Sequence, residues 1–128
     1  MNFSERIIEW QNLYGRNNLP WQTNDPYKVW VSEIMLQQTQ VSTVIPFYEN
    51  FMKSFPDVFT LSKANLDEVL NNWAGLGFYR RARNLHQTAK IITDKYHQVF
   101  PDNYEDLLTL PGIGESTAGA ILALGFNK

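Results

Sequence analysis

With 128 residues, a formal net charge of −2 and no cysteine, the chain fits one domain and can build neither a disulfide framework nor a thiolate metal site. His86 and His97, the two histidines, fall short of an all-protein zinc site, so no metal is expected on these residues. An apolar share of 44%, with eight Phe, six Tyr and four Trp, argues against global disorder. No apolar run reaches membrane-spanning length and no basic-plus-apolar leader opens the chain, so a soluble intracellular protein with no membrane contact is expected.

Helical spacing recurs along the sequence, and no segment alternates as a half-buried strand would. Ser4 is placed to cap a first helix with Ile7, Ile8, Trp10, Leu13 and Tyr14 on its apolar face, and Gly15 to end it. A loop through Leu19, Pro20 and Trp21 follows. Asp25-Pro26 combines a capping residue with proline at the first helical position. It predicts a helix through Val29, Trp30, Ile34 and Leu36 to about Gln37. Thr39 is the expected cap of the next helix, with Val41, Val44, Ile45, Tyr48, Phe51, Met52 and Phe55 as its stripe and Pro46 starting or kinking it. Phe55-Pro56-Asp57 reads as the exit turn. Asn65 with Glu68 has the spacing of a capping box and opens a short helix to Trp73. Gly75-Leu76-Gly77 then leads into a long helix from Phe78 to about Tyr96, with Ala82, Leu85, Ala89, Ile92 and Tyr96 inward. Asp102 with Glu105 marks the start of another. The expected fold is all-α: one helical domain over 1–128, a six-helix bundle or barrel plus a terminal hairpin, with no sheet.

That hairpin is the most informative stretch. Leu107, Leu108 and Leu110 end one apolar face, and Pro111 stops the helix by withholding a backbone donor. Gly112 and Gly114 allow a very tight turn. A second helix opens at once on Ser116, Thr117, Ala118, Gly119 and Ala120. Its first amides lack intrahelical partners and carry the positive end of the helix dipole, which suits a phosphate. The stretch, about 104–126, resembles the helix-hairpin-helix element that grips one DNA strand through backbone amides, with Gly112, Ile113, Gly114, Ser116 and Thr117 at the contact. An ordinary turn between packed helices has the same Gly-x-Gly spacing.

The acidic balance opposes a broad basic field for DNA. Basic residues gather locally instead, Arg80, Arg81 and Arg83 together with Lys90 and Lys95 following. They read either as point contacts to phosphates or as a solvated helix start. Glu33 lies inside the weakly polar run Val29 to Leu36. Burial there would raise its pKa and make it a general acid near neutral pH, unless it occupies the one wet stripe of its helix. Gln37-Gln38 offers paired amides suited to base edges or to a solvent-facing helix end. Phe78-Tyr79 forms an aromatic tip that could stack on or wedge between bases, or pack in the core.

Taken together, Leu19-Pro20-Trp21, Asp25 to Trp30, Ser32 to Val41, Gly75 to Tyr79, Arg81 to Leu85 and the hairpin resemble the adenine DNA glycosylase (MutY) family of the helix-hairpin-helix superfamily. The likeness runs from about Trp10 onward, and the Ser-Glu-x-Met-Leu-Gln-Gln-Thr run is its most specific part. The resemblance implies a base-excision DNA repair hydrolase, a glycosidase that removes adenine mispaired with 8-oxoguanine or guanine from double-stranded DNA. Its implied location is cytoplasmic and nucleoid-associated, as in bacteria, and its implied state monomeric. The adenine is flipped out because the glycosidic bond is unreachable in the stack. Its pocket would involve Trp21, Gln22, Leu36, Val41 and Ser116, with Glu33 protonating the base at N7 and Gln38 filling the vacated space. Gln37, Phe78, Tyr79, Arg81 and Arg83 would meet the DNA.

Some positions depart from the family pattern. Phe78 stands where a wedging Tyr is usual, so the ring face is kept and the hydroxyl lost; Gln22 stands where some relatives carry Arg. Ser116 occupies the place of the Schiff-base Lys of endonuclease III-like relatives, and a hydroxyl cannot form an imine. The family's catalytic Asp, its [4Fe-4S] cysteines and its lesion-reading C-terminal domain are not found within these residues, so the chain alone is expected to be near-inactive. A non-catalytic DNA-binding module, an endonuclease III-like enzyme and a helical domain that binds another protein are the competing readings.

Overall fold

Asp25 takes the capping role its place before Pro26 suggests: its side chain accepts a hydrogen bond from the Tyr27 N–H at 3.0 Å. In the computed structural model, which describes residues 24–128, this cap opens helix α1, Pro26–Leu36. The helix read from Ser4, the Leu19-Pro20-Trp21 loop and Gln22 lie outside the described residues. Helices α2 (Val41–Ser54), α3 (Val58–Lys63), α4 (Leu66–Trp73), α5 (Tyr79–Lys95), α6 (Tyr104–Leu108) and α7 (Glu115–Ala120) follow, and a π-helical turn, Ile121–Gly125, continues α7. No strand occurs among the described residues, in agreement with the all-α expectation.

Helix α1 is the centre of the molecule. Tyr27 and every residue from Val29 to Met35 are buried, because α2, α5, α7 and the π turn all pack around it. A surface helix would bury one stripe; this one has only Lys28 partly open between Tyr27 and Leu36. Trp30 meets Phe100 edge to face at 5.3 Å, and the Tyr27 hydroxyl donates to the Phe55 carbonyl at 2.6 Å. Burial, and after it Asp57, hold the Tyr27 phenol above its ordinary range, so it keeps the proton that makes this bond. Trp73, Tyr48, Phe51, Leu61, Leu85 and Ile92 are the fully buried large side chains on the α2–α5 side.

Several boundaries differ from the sequence reading. The exit turn after Phe55 leads straight into α3, a six-residue helix capped by Asp57, whose side chain accepts from the Thr60 N–H at 2.7 Å. Too short to show a period, it buries Val58, Leu61 and Ser62. Gln40, not Thr39, is the first cap of α2, with no side-chain bond; Thr39 donates its hydroxyl to the Gln37 carbonyl at 3.3 Å. Pro46 sits inside α2. Asn103, not Asp102, caps α6 by accepting from the Asp106 N–H at 2.8 Å. Asn65 caps α4 as expected, accepting from the Glu68 N–H at 2.9 Å.

The π turn closes against the start of α1. A Cβ added to Gly125 would lie 2.7 Å from Pro26 Cα and 2.9 Å from Pro26 Cβ, and rigid backbone cannot yield as a flexible side chain would. Gly125→Ala is therefore expected to destabilise the fold by about 1–3 kcal/mol, read as a lower urea midpoint at unchanged slope.

His86 on α5 places Nε2 2.8 Å from the Ala64 carbonyl oxygen at the end of α3. Burial first, and Lys90 in addition, pull its pKa below the ordinary value of 6.5, while the Ala64 bond opposes them. A lowered folded-state pKa means that the unfolded chain binds the proton more readily. The contribution is fully present above about pH 6.5 and is lost as the pH falls through the folded-state value. Urea midpoints should accordingly drop on acidification below pH 6.5, and His86→Gln should flatten that part of the profile.

Candidate functional site

Glu33 occupies the third turn of α1 and is 1% exposed. The wet-stripe alternative is thereby overturned. Its helical neighbours Val29, Trp30 and Ile34 are buried as well, and Ser32 turns its hydroxyl back to the Val29 carbonyl at 2.8 Å. A carboxyl group is costly to bury unless it is paired or hydrogen-bonded.

At the end of α1 the backbone reverses through Gln38, a non-glycine residue with φ 60°. Gln38 is exposed, while Leu36, Gln37 and Val41 are half-buried. Gln37 does not stand free. Its side-chain amide donates to Thr117 Oγ1 at 3.4 Å, a long bond that ties the α1 end to α7. Thr117 itself is 3% exposed, so its hydroxyl faces Gln37 rather than solvent.

The arginine cluster divides. Arg80 and Arg83 are exposed, as are the rings of Phe78, at 58%, and Tyr79, at 44%; the core-packing alternative for this aromatic pair is overturned. Arg81 points the other way. Its Nη1 donates to the carbonyl oxygens of Ile34 at 2.7 Å, Met35 at 3.3 Å and Gln37 at 2.6 Å. The guanidinium carbon lies 5.1 Å from the Phe78 ring centre and 5.6 Å from that of Trp73. Burial pulls Arg81 below its usual range, though an arginine stays charged in proteins. The expected phosphate contact is thus corrected: this guanidinium is engaged inside the molecule, at carbonyls around the end of α1.

The hairpin follows α6 through Leu110 and Pro111. Gly112 has φ +81°, and a Cβ there would lie 3.0 Å from Asn84 Cβ on α5, so both conformation and space call for glycine. Thr88 of α5 donates its hydroxyl to the Pro111 carbonyl at 2.7 Å, fixing the turn to the bundle. Gly114 differs. It caps α7 in an extended conformation, no side chain caps the helix start, and nothing lies within 4 Å of a Cβ built on it. Ile113 also needs correcting. Its side chain is buried in the core, and its N–H already donates to the Leu110 carbonyl at 3.1 Å, so it has little left to give a DNA strand. Gly112 and Gly114 are exposed and Ser116 half-buried. Glu115, exposed at the first turn of α7, adds a negative charge beside the amides.

A cavity of about 60 Å³ lies where these parts converge, lined in part by Trp30, Ile34, Gln37, Arg81, Asn84 and Gly112. A wider polar groove of about 410 Å³ runs between α2 and α4 past Asn50, Asn71 and Asn72. Glu33 lines neither, and Trp21 and Gln22, expected beside it, lie outside the described residues. Arg81, Asn84 and Thr88 were missed as organisers of the site. The signal was present in the Arg81-x-x-Asn84-x-x-x-Thr88 spacing, which places all three on one face of α5.

Residues 31–123 match the HhH-GPD superfamily of base excision DNA repair proteins, and the chain belongs to that family. An adenine DNA glycosylase of Buchnera aphidicola subsp. Baizongia pistaciae is 56% identical over 126 residues, covering 98% of this chain and 36% of the relative. The human adenine DNA glycosylase is 39% identical over 136 residues, covering 98% of this chain and 25% of its own length. The chain therefore spans about a third, or less, of these curated relatives. Among solved structures, that of a thermostable thymine-DNA glycosylase superposes with a TM-score of 0.82 at 29% identity, over 98% of this chain and 58% of the other.

A [4Fe-4S] cluster is implied by the resemblance but does not fit these residues. The chain has no cysteine, and among the described residues no three His, Cys, Asp or Glu side chains are grouped to hold a metal ion. No helix among the described residues is long and apolar enough to cross a membrane.

Proposed function

We propose that this chain forms part of a monomeric adenine DNA glycosylase that removes adenine mispaired with 8-oxoguanine or guanine from double-stranded DNA. The observation that carries the reading is the burial of Glu33, at 1% exposure, within the Ser32 to Thr39 run. In the proposed reaction an extruded adenine reaches a pocket bounded by Glu33, Leu36, Val41, Ser116, Trp21 and Gln22. Glu33 gives a proton to N7, and the glycosidic electron pair departs with the neutralised purine while positive charge builds on the sugar. Gln38, exposed at its turn, enters the space left in the duplex. Phe78 and Tyr79 lie against the opposite strand's base, and Arg83 with the amides around Gly112, Gly114 and Ser116 holds phosphates.

Stabilisation of the cationic sugar calls for a carboxylate placed against it. The resemblance puts that Asp beyond Lys128, so the 128 residues by themselves are expected to release adenine very slowly. The iron–sulfur cluster is likewise assigned to cysteines outside these 128 residues, which contain none, and the site of action to the cytoplasm at the nucleoid. Ser116 favours a monofunctional enzyme over an endonuclease III-like lyase, because it offers no amine.

The direct test is a chimaera in which these residues replace the matching segment of the Buchnera relative. Release of free adenine from a duplex carrying adenine opposite 8-oxoguanine is the expected result. A folded chimaera that binds this duplex but leaves every base in place would reject the reading in favour of a binding module.

A further inference from the structure

Two exposed residues, 40 positions apart in sequence, share an unusual conformation: Gln38 at φ 60° and Phe78 at φ 52°. Side chains with a Cβ adopt this left-handed region at a cost, and it persists where the surroundings over-determine it. One group touches the backbone leading into the first residue and the ring of the second. Arg81 Nη1 donates to the Gln37 carbonyl at 2.6 Å and to the Ile34 carbonyl at 2.7 Å, and its guanidinium carbon is 5.1 Å from the Phe78 ring centre.

The placement is electrostatically pointed. Arg81 lies in the first turn of α5, where the helix dipole disfavours a cation. Across the gap, α1 has no basic residue in its own last turn, and its end carbonyls favour one. The charge is thus set in a poor place on its own helix and a good place for the neighbouring one. Trp73 backs the arrangement: its ring lies 5.6 Å from the guanidinium carbon, and its Nε1 donates to the Gly77 carbonyl at 3.0 Å, just before Phe78.

We infer that Arg81 is a positioning residue that locks Gln38 and Phe78 into a single two-pronged tip, fixing the spacing at which the two enter a duplex. The inference rests on the glycosylase reading for what the prongs do and adds the part that sets their separation. Such a lock acts on the difference between a mispaired and a matched duplex, since only a helix opened at one base pair receives both prongs. Overall affinity, held by phosphate contacts elsewhere, is left alone.

The test compares this chain with Arg81→Met and Arg81→Lys in two measurements. Binding is measured to a matched duplex and to one carrying adenine opposite 8-oxoguanine. Backbone amide order parameters of the free proteins are measured by NMR. Arg81→Met is expected to cut the preference for the mispair at least tenfold, change matched-duplex affinity less than twofold, and loosen Gln38 and Phe78 together. Arg81→Lys should recover folding but not the preference, because an ammonium offers no planar face to lie on the Phe78 ring while it bonds the carbonyls; if Arg81→Met does not fold, Arg81→Lys carries both measurements. Equal loss on both duplexes would make Arg81 a phosphate contact, and unchanged preference or loosening at one prong alone would overturn the lock. A parent chain with no preference for the mispair would leave lesion reading to the C-terminal domain rather than the prongs, and the NMR comparison would then decide the lock by itself.

Discussion

Glu33→Gln is expected to abolish adenine release by the chimaera while leaving its duplex affinity within about twofold. General acids of this kind contribute roughly a hundred- to ten-thousand-fold to rate, and glutamine keeps the shape and the polar atoms but has no proton to give to N7. Single-turnover release from a duplex with adenine opposite 8-oxoguanine measures the effect, and kcat should fall without a matching rise in KM. Because Glu33 is 1% exposed, a second measurement is needed to separate chemistry from folding: circular dichroism and urea midpoints of the variant should match those of the parent. A Glu33→Gln enzyme as fast as the parent would remove this carboxyl group from the reaction, whatever the family likeness.

The hairpin gives the second large effect, and the two glycines must be treated differently. Gly112, at φ +81° and with Asn84 Cβ 3.0 Å from the position of a new Cβ, is required by the fold itself. Gly112→Val would open the turn and weaken duplex binding for a structural reason, so its loss of affinity says little about phosphates. Gly114 is the clean probe. An aspartate fits the open space around it and is a favoured capping residue that accepts from the first helical amides. Gly114→Asp should therefore keep or slightly raise stability while placing a carboxylate where a phosphate oxygen would sit. A charge-assisted hydrogen bond is worth about 1.5–3 kcal/mol, so duplex affinity at low salt should fall at least about tenfold. Undiminished affinity in Gly114→Asp would rule out the α7 amides as a phosphate site.

Much of this architecture was legible in the sequence. Asp25-Pro26, Asn65 and the Gly-x-Gly hairpin are local signals, each resting on a capping bond or a turn that the neighbouring residues decide alone. Helix α3 was not legible because six residues cannot display a period, and its burial depends on α5 packing over it. Ile113 and Arg81 were misassigned for one shared reason. An exposed turn and a cluster of arginines look alike whether a given group faces outward or inward, and only the fold decides that the Ile113 amide meets Leu110 and Arg81 meets the end of α1. Glu33 was legible as a choice between two environments, and the packing of four elements around α1 settled which one holds.

That packing also bears on how the chain can vary over generations. Between Tyr27 and Met35 only Lys28 escapes burial, so a saturation survey of single substitutions should show an intolerant band there, interrupted only at that lysine. Change would be absorbed instead at outward positions such as Glu49, Asp67 and Gln87. Neighbours of the acid are shielded from drift because the same helix is the keystone of the bundle.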